Sequence, residues 1–131
     1  MTVSDVKLIN IPKITDVRGN LSVIEKDVVP FSIHRVYYLY DVPSGSYRGG
    51  HAHKELHQLL IAISGSFDVI LKDKNGNELN ITLKRPDQGL LIPHMIWREI
   101  EGFSSGAICL VIASQEYNED DYIYSLEDFL S

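Results

Sequence analysis

Two histidines, His51 and His53, stand two residues apart in the run Arg48-Gly49-Gly50-His51-Ala52-His53, which lies between two apolar strand-like stretches. Residues i and i+2 of a strand share a face, so the two imidazoles project side by side. The glycine pair before them lets the backbone turn or come close to a ligand. A neutral imidazole is both a metal ligand and a general base near pH 7. The pair therefore serves metal binding or proton transfer, and the residues that accompany it bear on which.

Those residues include the arginines Arg18, Arg35, Arg48 and Arg98 and the tyrosines Tyr37, Tyr38, Tyr40 and Tyr47. Arginine binds phosphate through a planar fork, and two forks can hold a diphosphate. A tyrosine hydroxyl can steady a developing oxyanion or share a proton with a base. Imidazoles with several arginines suit proton transfer on an anionic substrate. Each residue also has a plainer reading. Arg35 reads as a solvated strand residue and His34 as a surface residue. His57 and His94 read as rescue ligands or as partners of backbone carbonyls. Trp97 is core or a stacking platform. The acidic run of Glu116, Glu119, Asp120 and Asp121 reads as a solvated loop.

The elements that must position these groups are short strands. Runs rich in Val, Ile, Leu and Tyr recur at roughly 8–12-residue spacing, an all-β signature. The expected strands are residues 6–11, 20–25, 35–40, 58–63, 66–72, 78–83, 89–92, 97–100 and 106–113. Asn75-Gly76 between apolar alternations predicts a hairpin, and Ser64-Gly65 a second tight turn. The continuously apolar runs 59–63 and 108–112 predict strands covered on both faces, by a second sheet and by a partner subunit. Residues 125–130 carry a capping pattern and predict one short terminal helix.

The 131 residues fit one domain, 1–131, with enough chain for a proper core. A net charge of −6 argues against a nucleic-acid backbone binder, while local arginines still permit an anionic small ligand. The single Cys109 lies in an apolar run and reads as an inert buried thiol. With no charged-then-apolar leader and no apolar stretch of bilayer-spanning length, no membrane association is expected and the cytoplasm is the expected location.

Residues 45–65 resemble the first motif of the cupin superfamily. Gly45, His51, His53 and Gly65 fall at its spacing, but Gln58 stands at the position of its acidic ligand. The second motif is matched loosely. Pro93 takes its proline position, Met95 replaces the following glycine, and Arg98 stands where that motif supplies a ligand histidine. Two of the four usual metal ligands are thus replaced, one by a guanidinium that repels a divalent cation. Neither a metal nor another cofactor is expected, and the fold class is an all-β, cupin-type jelly roll or small β-barrel with a short C-terminal helix.

The chain resembles the metal-independent nucleotide-sugar 3,4-ketoisomerases that act on dTDP-4-keto-6-deoxyglucose. The resemblance rests on Asp16-Val17-Arg18-Gly19-Asn20-Leu21, Arg35-Val36-Tyr37-Tyr38-Leu39-Tyr40, and Arg48-Gly49-Gly50-His51-Ala52-His53-Lys54. It rests further on Gly65-Ser66-Phe67, Ile92-Pro93 with Trp97, and Tyr117-Asn118-Glu119-Asp120-Asp121-Tyr122-Ile123. It implies a homodimeric cupin, a dTDP-linked 4-keto-6-deoxy sugar as substrate, and a 3-keto product that precedes amination at C3 for surface glycans. On that reading His51 is the base on carbon, and His53 and Tyr37 serve the oxygens or orient His51. Arg48 neutralises the diphosphate or enediolate, Arg18 and Arg98 near the pocket mouth contact sugar or phosphate, and Trp97 stacks on the base or packs beside the sugar. A nucleotide-sugar 3,5-epimerase, a non-catalytic sugar-binding cupin and a metal-dependent enzyme are the competing readings.

Overall fold

Along residues 67–72 the side chains of Phe67, Val69 and Leu71 are fully buried, and those of Asp68, Ile70 and Lys72 only half so. This period of two marks a strand with one face on a core. A computed structural model describes residues 1–46 and 48–131, and such strands make up most of it. Tyr47, grouped above with the other tyrosines, lies outside the described residues.

In chain order the strands are β1 (Lys7–Asn10), β2 (Lys13–Asp16), β3 (Gly19–Ser22), β4 (Arg35–Leu39), β5 (Arg48–His53) and β6 (Gln58–Ser64). They continue as β7 (Phe67–Lys72), β8 (Glu78–Leu83), β9 (Gln88–Ile92), β10 (Trp97–Glu101), β11 (Ile108–Ala113) and β12 (Tyr122–Ile123), before a helix α1 (Leu126–Leu130). They form two five-stranded sheets, β1-β9-β6-β11-β4 and β12-β5-β10-β7-β8, and a separate β2–β3 hairpin. The pairings are antiparallel. This is the all-β fold with one short C-terminal helix that the sequence pattern predicts.

The main core fills the space between the sheets. Leu60, Ala62, Leu90, Ile92, Cys109 and Val111 of one sheet meet Phe67, Val69, Leu71, Leu83 and Ile100 of the other. Burial pushes the Cys109 thiol up to about 12, so it stays a neutral packing group. The outer face of the first sheet carries a second apolar cluster. Leu59, Ile61 and Ile112 are covered by the chain's own Ile11 and Val29, with Ile24 and Phe31 packed beside them. On this face the doubly apolar strands are thus covered by the segments flanking the β2–β3 hairpin.

The strands the sequence pattern omits have local reasons. Strand β5 carries two glycines, which have little intrinsic strand preference. Strand β2 is exposed throughout and pairs only with β3, and β12 is two residues long. Turn chemistry is where expected. Gly76 has φ +86°, and the Asp73 carboxylate accepts from the amides of Asn75 and Asn77, at 3.0 Å each. The turn at Ser64-Gly65 passes the chain from one sheet to the other. Met95, at the position of the motif's glycine, holds a left-handed φ of +58° while its amide donates to the His53 carbonyl at 2.7 Å. Ser125 caps α1 by accepting from the Asp128 amide, and Phe129 packs on Ala52 and Trp97. No helix among the described residues is long and apolar enough to cross a membrane.

Candidate active site

Strand β5 lies between β10 and β12, with His51 directly opposite Arg98 and His53 directly opposite Tyr122. Paired residues of antiparallel strands share a face. The register alone therefore gathers both imidazoles, a guanidinium and a phenol on the inner side of one sheet. From the other sheet β4 and β6 contribute Tyr37, Arg35 and Gln58, with the small Ala113 of β11 between Arg35 and Gln58.

These groups line a cavity of about 320 Å³. Its walls are Arg35, Tyr37, Arg48, His51, Gln58, Arg98 and Tyr122, and Leu39, Leu60, Ile100 and Val111 make its apolar part. No carboxylate appears among the lining residues. In a chain of net charge −6, three guanidiniums in one pocket form a local anion site.

The histidines are not equivalent. His51 lines the cavity, whereas His53 is fully buried behind it. Their Nε2 atoms are 3.1 Å apart with the rings perpendicular. His53 Nδ1 lies 3.1 Å from Asp121 Oδ2. Burial first, then Arg98 and Arg35, hold His53 down to about 3 despite the adjacent carboxylate. Burial, Arg98 and His53 hold His51 down to about 2. Both imidazoles are therefore neutral at pH 7. Asp121 only accepts, so His53 carries its hydrogen on Nδ1 and accepts at Nε2. His51 then donates from Nε2, which leaves on its Nδ1 a lone pair without a hydrogen-bond partner among the described residues. The Tyr122 ring packs on both imidazoles, with centroids 5.0 and 4.4 Å away.

Arg98 is 1% exposed, so it is a wall of the pocket rather than part of its mouth. It donates to the Ile96 carbonyl from Nε and Nη2, at 3.3 and 3.1 Å, and from Nη1 to Gln58 Oε1. The two positions at which the metal-binding motifs would supply ligands are thus hydrogen-bonded to each other. Burial lowers Arg98 to about 10, which leaves it charged at neutral pH. The guanidinium of Arg35 stacks over the Tyr37 ring at 4.3 Å and faces Tyr117 at 5.4 Å. Its Nη1 is buried with no hydrogen-bond partner among the described residues.

The structure thus brings together His51, His53, Tyr37, Arg48 and Arg98. Arg18 sits at the tip of the β2–β3 hairpin with its side chain 87% exposed, paired to Asp16 at 2.7 Å, and does not line this cavity. Trp97 points to the opposite face of β10, where its indole donates to Glu99 at 2.9 Å and its ring packs near Phe129. His57 and His94 form a separate pair. The His94 amide donates to His57 Nδ1 at 3.3 Å, and His94 Nδ1 meets the Lys54 carbonyl at 3.0 Å.

Two residues were misjudged from sequence alone, and a third, Tyr122, was passed over. Asp121 is buried, not solvated; besides His53 it holds the amides of Glu55 and Leu56, at 2.9 and 3.3 Å. Arg35 is half-buried and lines the cavity. Tyr122 is a wall of the site. Asp121 and Tyr122 lie in the stretch Tyr117–Ile123 that carries part of the resemblance, which was the available signal.

The chain is similar to known proteins along nearly its whole length. Residues 4–131 match the FdtA family, described as "WxcM-like, C-terminal". The chain is 45% identical over 124 residues to a TDP-4-oxo-6-deoxy-alpha-D-glucose-3,4-oxoisomerase of Aneurinibacillus thermoaerophilus, covering 94% of this chain and 88% of the relative. Among solved structures, the WlaRB TDP-quinovose 3,4-ketoisomerase of Campylobacter jejuni is 46% identical with a TM-score of 0.91, covering 96% and 97% of the two chains. A mutant of the 3,4-ketoisomerase QdtA of Thermoanaerobacterium thermosaccharolyticum, in complex with TDP-4-keto-6-deoxyglucose, is 41% identical with a TM-score of 0.93, covering 96% and 91%. A dTDP-4-dehydrorhamnose 3,5-epimerase of Bacillus anthracis is only 19% identical with a TM-score of 0.81, a likeness of fold alone. The extent of the match and the identity to these ketoisomerases show that the chain belongs to the FdtA family of WxcM-like proteins.

Proposed function

We propose that this chain is a nucleotide-sugar 3,4-ketoisomerase that converts dTDP-4-keto-6-deoxyglucose to a dTDP-3-keto-6-deoxyhexose by proton transfer through an enediol or enediolate. The observation that carries the reading is one cavity holding a neutral imidazole with a free lone pair beside three guanidiniums and no carboxylate. Relatives that match nearly the whole chain are ketoisomerases of such sugars.

The C4 carbonyl acidifies the proton on C3. His51 removes it, the charge moves onto the C4 oxygen, and return of a proton to C4 with transfer between the two oxygens gives the 3-ketone. Burial, Arg98 and His53 keep His51 unprotonated in the protein alone. A diphosphate and a developing enediolate bring negative charge beside it and raise its proton affinity when it must accept. His53 is a positioning residue: it touches His51 rather than the cavity. Tyr37 serves the oxygens. Arg48 at the open side and Arg35, whose Nη1 has no hydrogen-bond partner among the described residues, suit the diphosphate, and Arg98 offsets the enediolate charge. Arg18 and Trp97 receive no role from the cavity of a single chain.

The reading carries with it a cytoplasmic enzyme that supplies 3-keto sugars for amination and surface glycans. It also carries a homodimer, supported by β4, which is an edge strand whose outward Val36 and Tyr38 are 55% and 60% exposed.

The test is NMR of the chelator-treated protein with dTDP-4-keto-6-deoxyglucose in D₂O. A 3-keto product with deuterium confined to C3 and C4 is expected, abolished in His51→Asn while dTDP still binds. Exchange at C5 would mean an epimerase, and bound ligand without exchange a binding protein.

A further inference from the structure

The mechanism so far leaves Gln58 unused, although it is 3% exposed and joins two cavity residues. Its Oε1 accepts from Arg98 Nη1, and its Nε2 donates to Tyr37 Oη at 3.2 Å. The direction of these bonds is forced. A guanidinium has donors only, so the side of the Gln58 amide that faces Arg98 must be the oxygen. The amide nitrogen then faces Tyr37 and can only donate. Tyr37 Oη is therefore an acceptor on its inner side, and its own hydrogen finds no acceptor among the described residues.

We infer that Gln58 is a positioning residue that, anchored by Arg98, turns the Tyr37 O–H outward as a hydrogen-bond donor to the substrate oxygen on which charge develops. This rests on the ketoisomerase reading above. Burial, and after it Tyr122, raises the Tyr37 phenol, which keeps the donor protonated at working pH. The cavity thus offers two opposite ends. The chain Asp121–His53–His51, anchored on a pure acceptor, ends in a lone pair; the chain Arg98–Gln58–Tyr37, anchored on a pure donor, ends in an O–H. An enolisation needs both, a base at carbon and a donor at oxygen.

Gln58→Glu tests the direction. A carboxylate still satisfies Arg98 but accepts from Tyr37, which consumes the hydrogen meant for the substrate. Tyr37→Phe is expected to lower kcat by roughly 10²–10³-fold, the usual loss for one oxyanion donor. Gln58→Glu should give a comparable fall in kcat with KM within about threefold, and the double variant should be no slower than Tyr37→Phe. Losses that multiply would mean that Gln58 acts elsewhere, for example through the charge felt by His51, and would overturn the inference; so would wild-type kcat in Gln58→Glu. One readout needs neither turnover nor a folded Gln58→Glu protein. The Raman difference spectrum of wild type minus Tyr37→Phe isolates the Tyr37 Fermi doublet. An acceptor-type doublet in the ligand-free protein is expected, and a donor-type doublet refutes the relay even if the substrate proves to be a different sugar. Loss of the ketoisomerase reading alone would appear as an inactive wild type with the acceptor doublet intact.

Discussion

Asp121 Oδ2 stands 3.1 Å from His53 Nδ1, across 68 residues of sequence, and both side chains are shut away from solvent. One carboxylate oxygen thereby selects the tautomer of His53 and, through the 3.1 Å contact between the two Nε2 atoms, that of His51. The orientation of the proposed base is set by a residue outside the cavity.

Asp121→Asn puts this to the test. An amide presenting its NH₂ to His53 reverses both hydrogen bonds and leaves a hydrogen on His51 Nδ1. Reversing the tautomer of a base in this way should lower kcat by roughly 10²-fold or more. Because Asp121 does not line the cavity, dTDP affinity by calorimetry should stay within about twofold of wild type. A loss confined to affinity would contradict the arrangement.

Arg35 separates binding from stability. Arg35→Met keeps the stem over the Tyr37 ring and removes the buried, unpartnered Nη1. A charge-assisted hydrogen bond contributes about 1.5–3 kcal/mol, so dTDP should bind roughly 10- to 100-fold more weakly. Removing an unsatisfied buried donor should leave thermal stability unchanged or higher. Titration calorimetry and a melting curve on the same sample measure both.

The pH dependence of stability has a definite sign. His51 and His53 are held to about 2 and about 3, against an ordinary 6.5. Below about pH 6.5 the unfolded chain takes up protons on these residues that the native chain does not. Stability is therefore fully present above that value and falls as pH drops from there toward the native values. Melting temperatures between about pH 7.5 and pH 5, where carboxylates stay ionised, should decline less steeply in His51→Asn than in wild type. Equal slopes would show that His51 titrates normally in the folded protein.

Gly65 tests the turn that carries the chain between sheets. Its φ is +66°, and a Cβ there would lie 2.4 Å from Ser104 Oγ and 2.9 Å from the Ala107 Cα. Gly65→Ala should destabilise by about 1–3 kcal/mol in urea unfolding. Gly45→Ala is the control. With φ +86° and nothing within 4 Å, it should show only the backbone part of that loss.

Periodicity, turn residues and motif spacing were enough to read an all-β domain, the Asn75-Gly76 hairpin, the capped terminal helix and the shared face of His51 and His53, because each depends on neighbours in sequence. Arg48 and Tyr37 were legible as candidates through the resemblance, and Arg98 through motif spacing; all three line the cavity. The register of β5 with β10 and β12 was not, and it is what sets Arg98 opposite His51 and Tyr122 opposite His53. Nor was the burial of Asp121, whose acidic neighbours look like a solvated loop, or the turning of Arg35 toward the cavity from a half-exposed strand. Burial is a property of what packs over a residue from elsewhere in the chain. The same holds for the outer face of the first sheet, whose apolar residues show that something covers it but not that Ile11 and Val29 do. Local chemistry is therefore written in the order of residues, whereas the direction of each hydrogen bond, and with it which group gives and which takes a proton, is decided only by the partners that folding brings within about 3 Å.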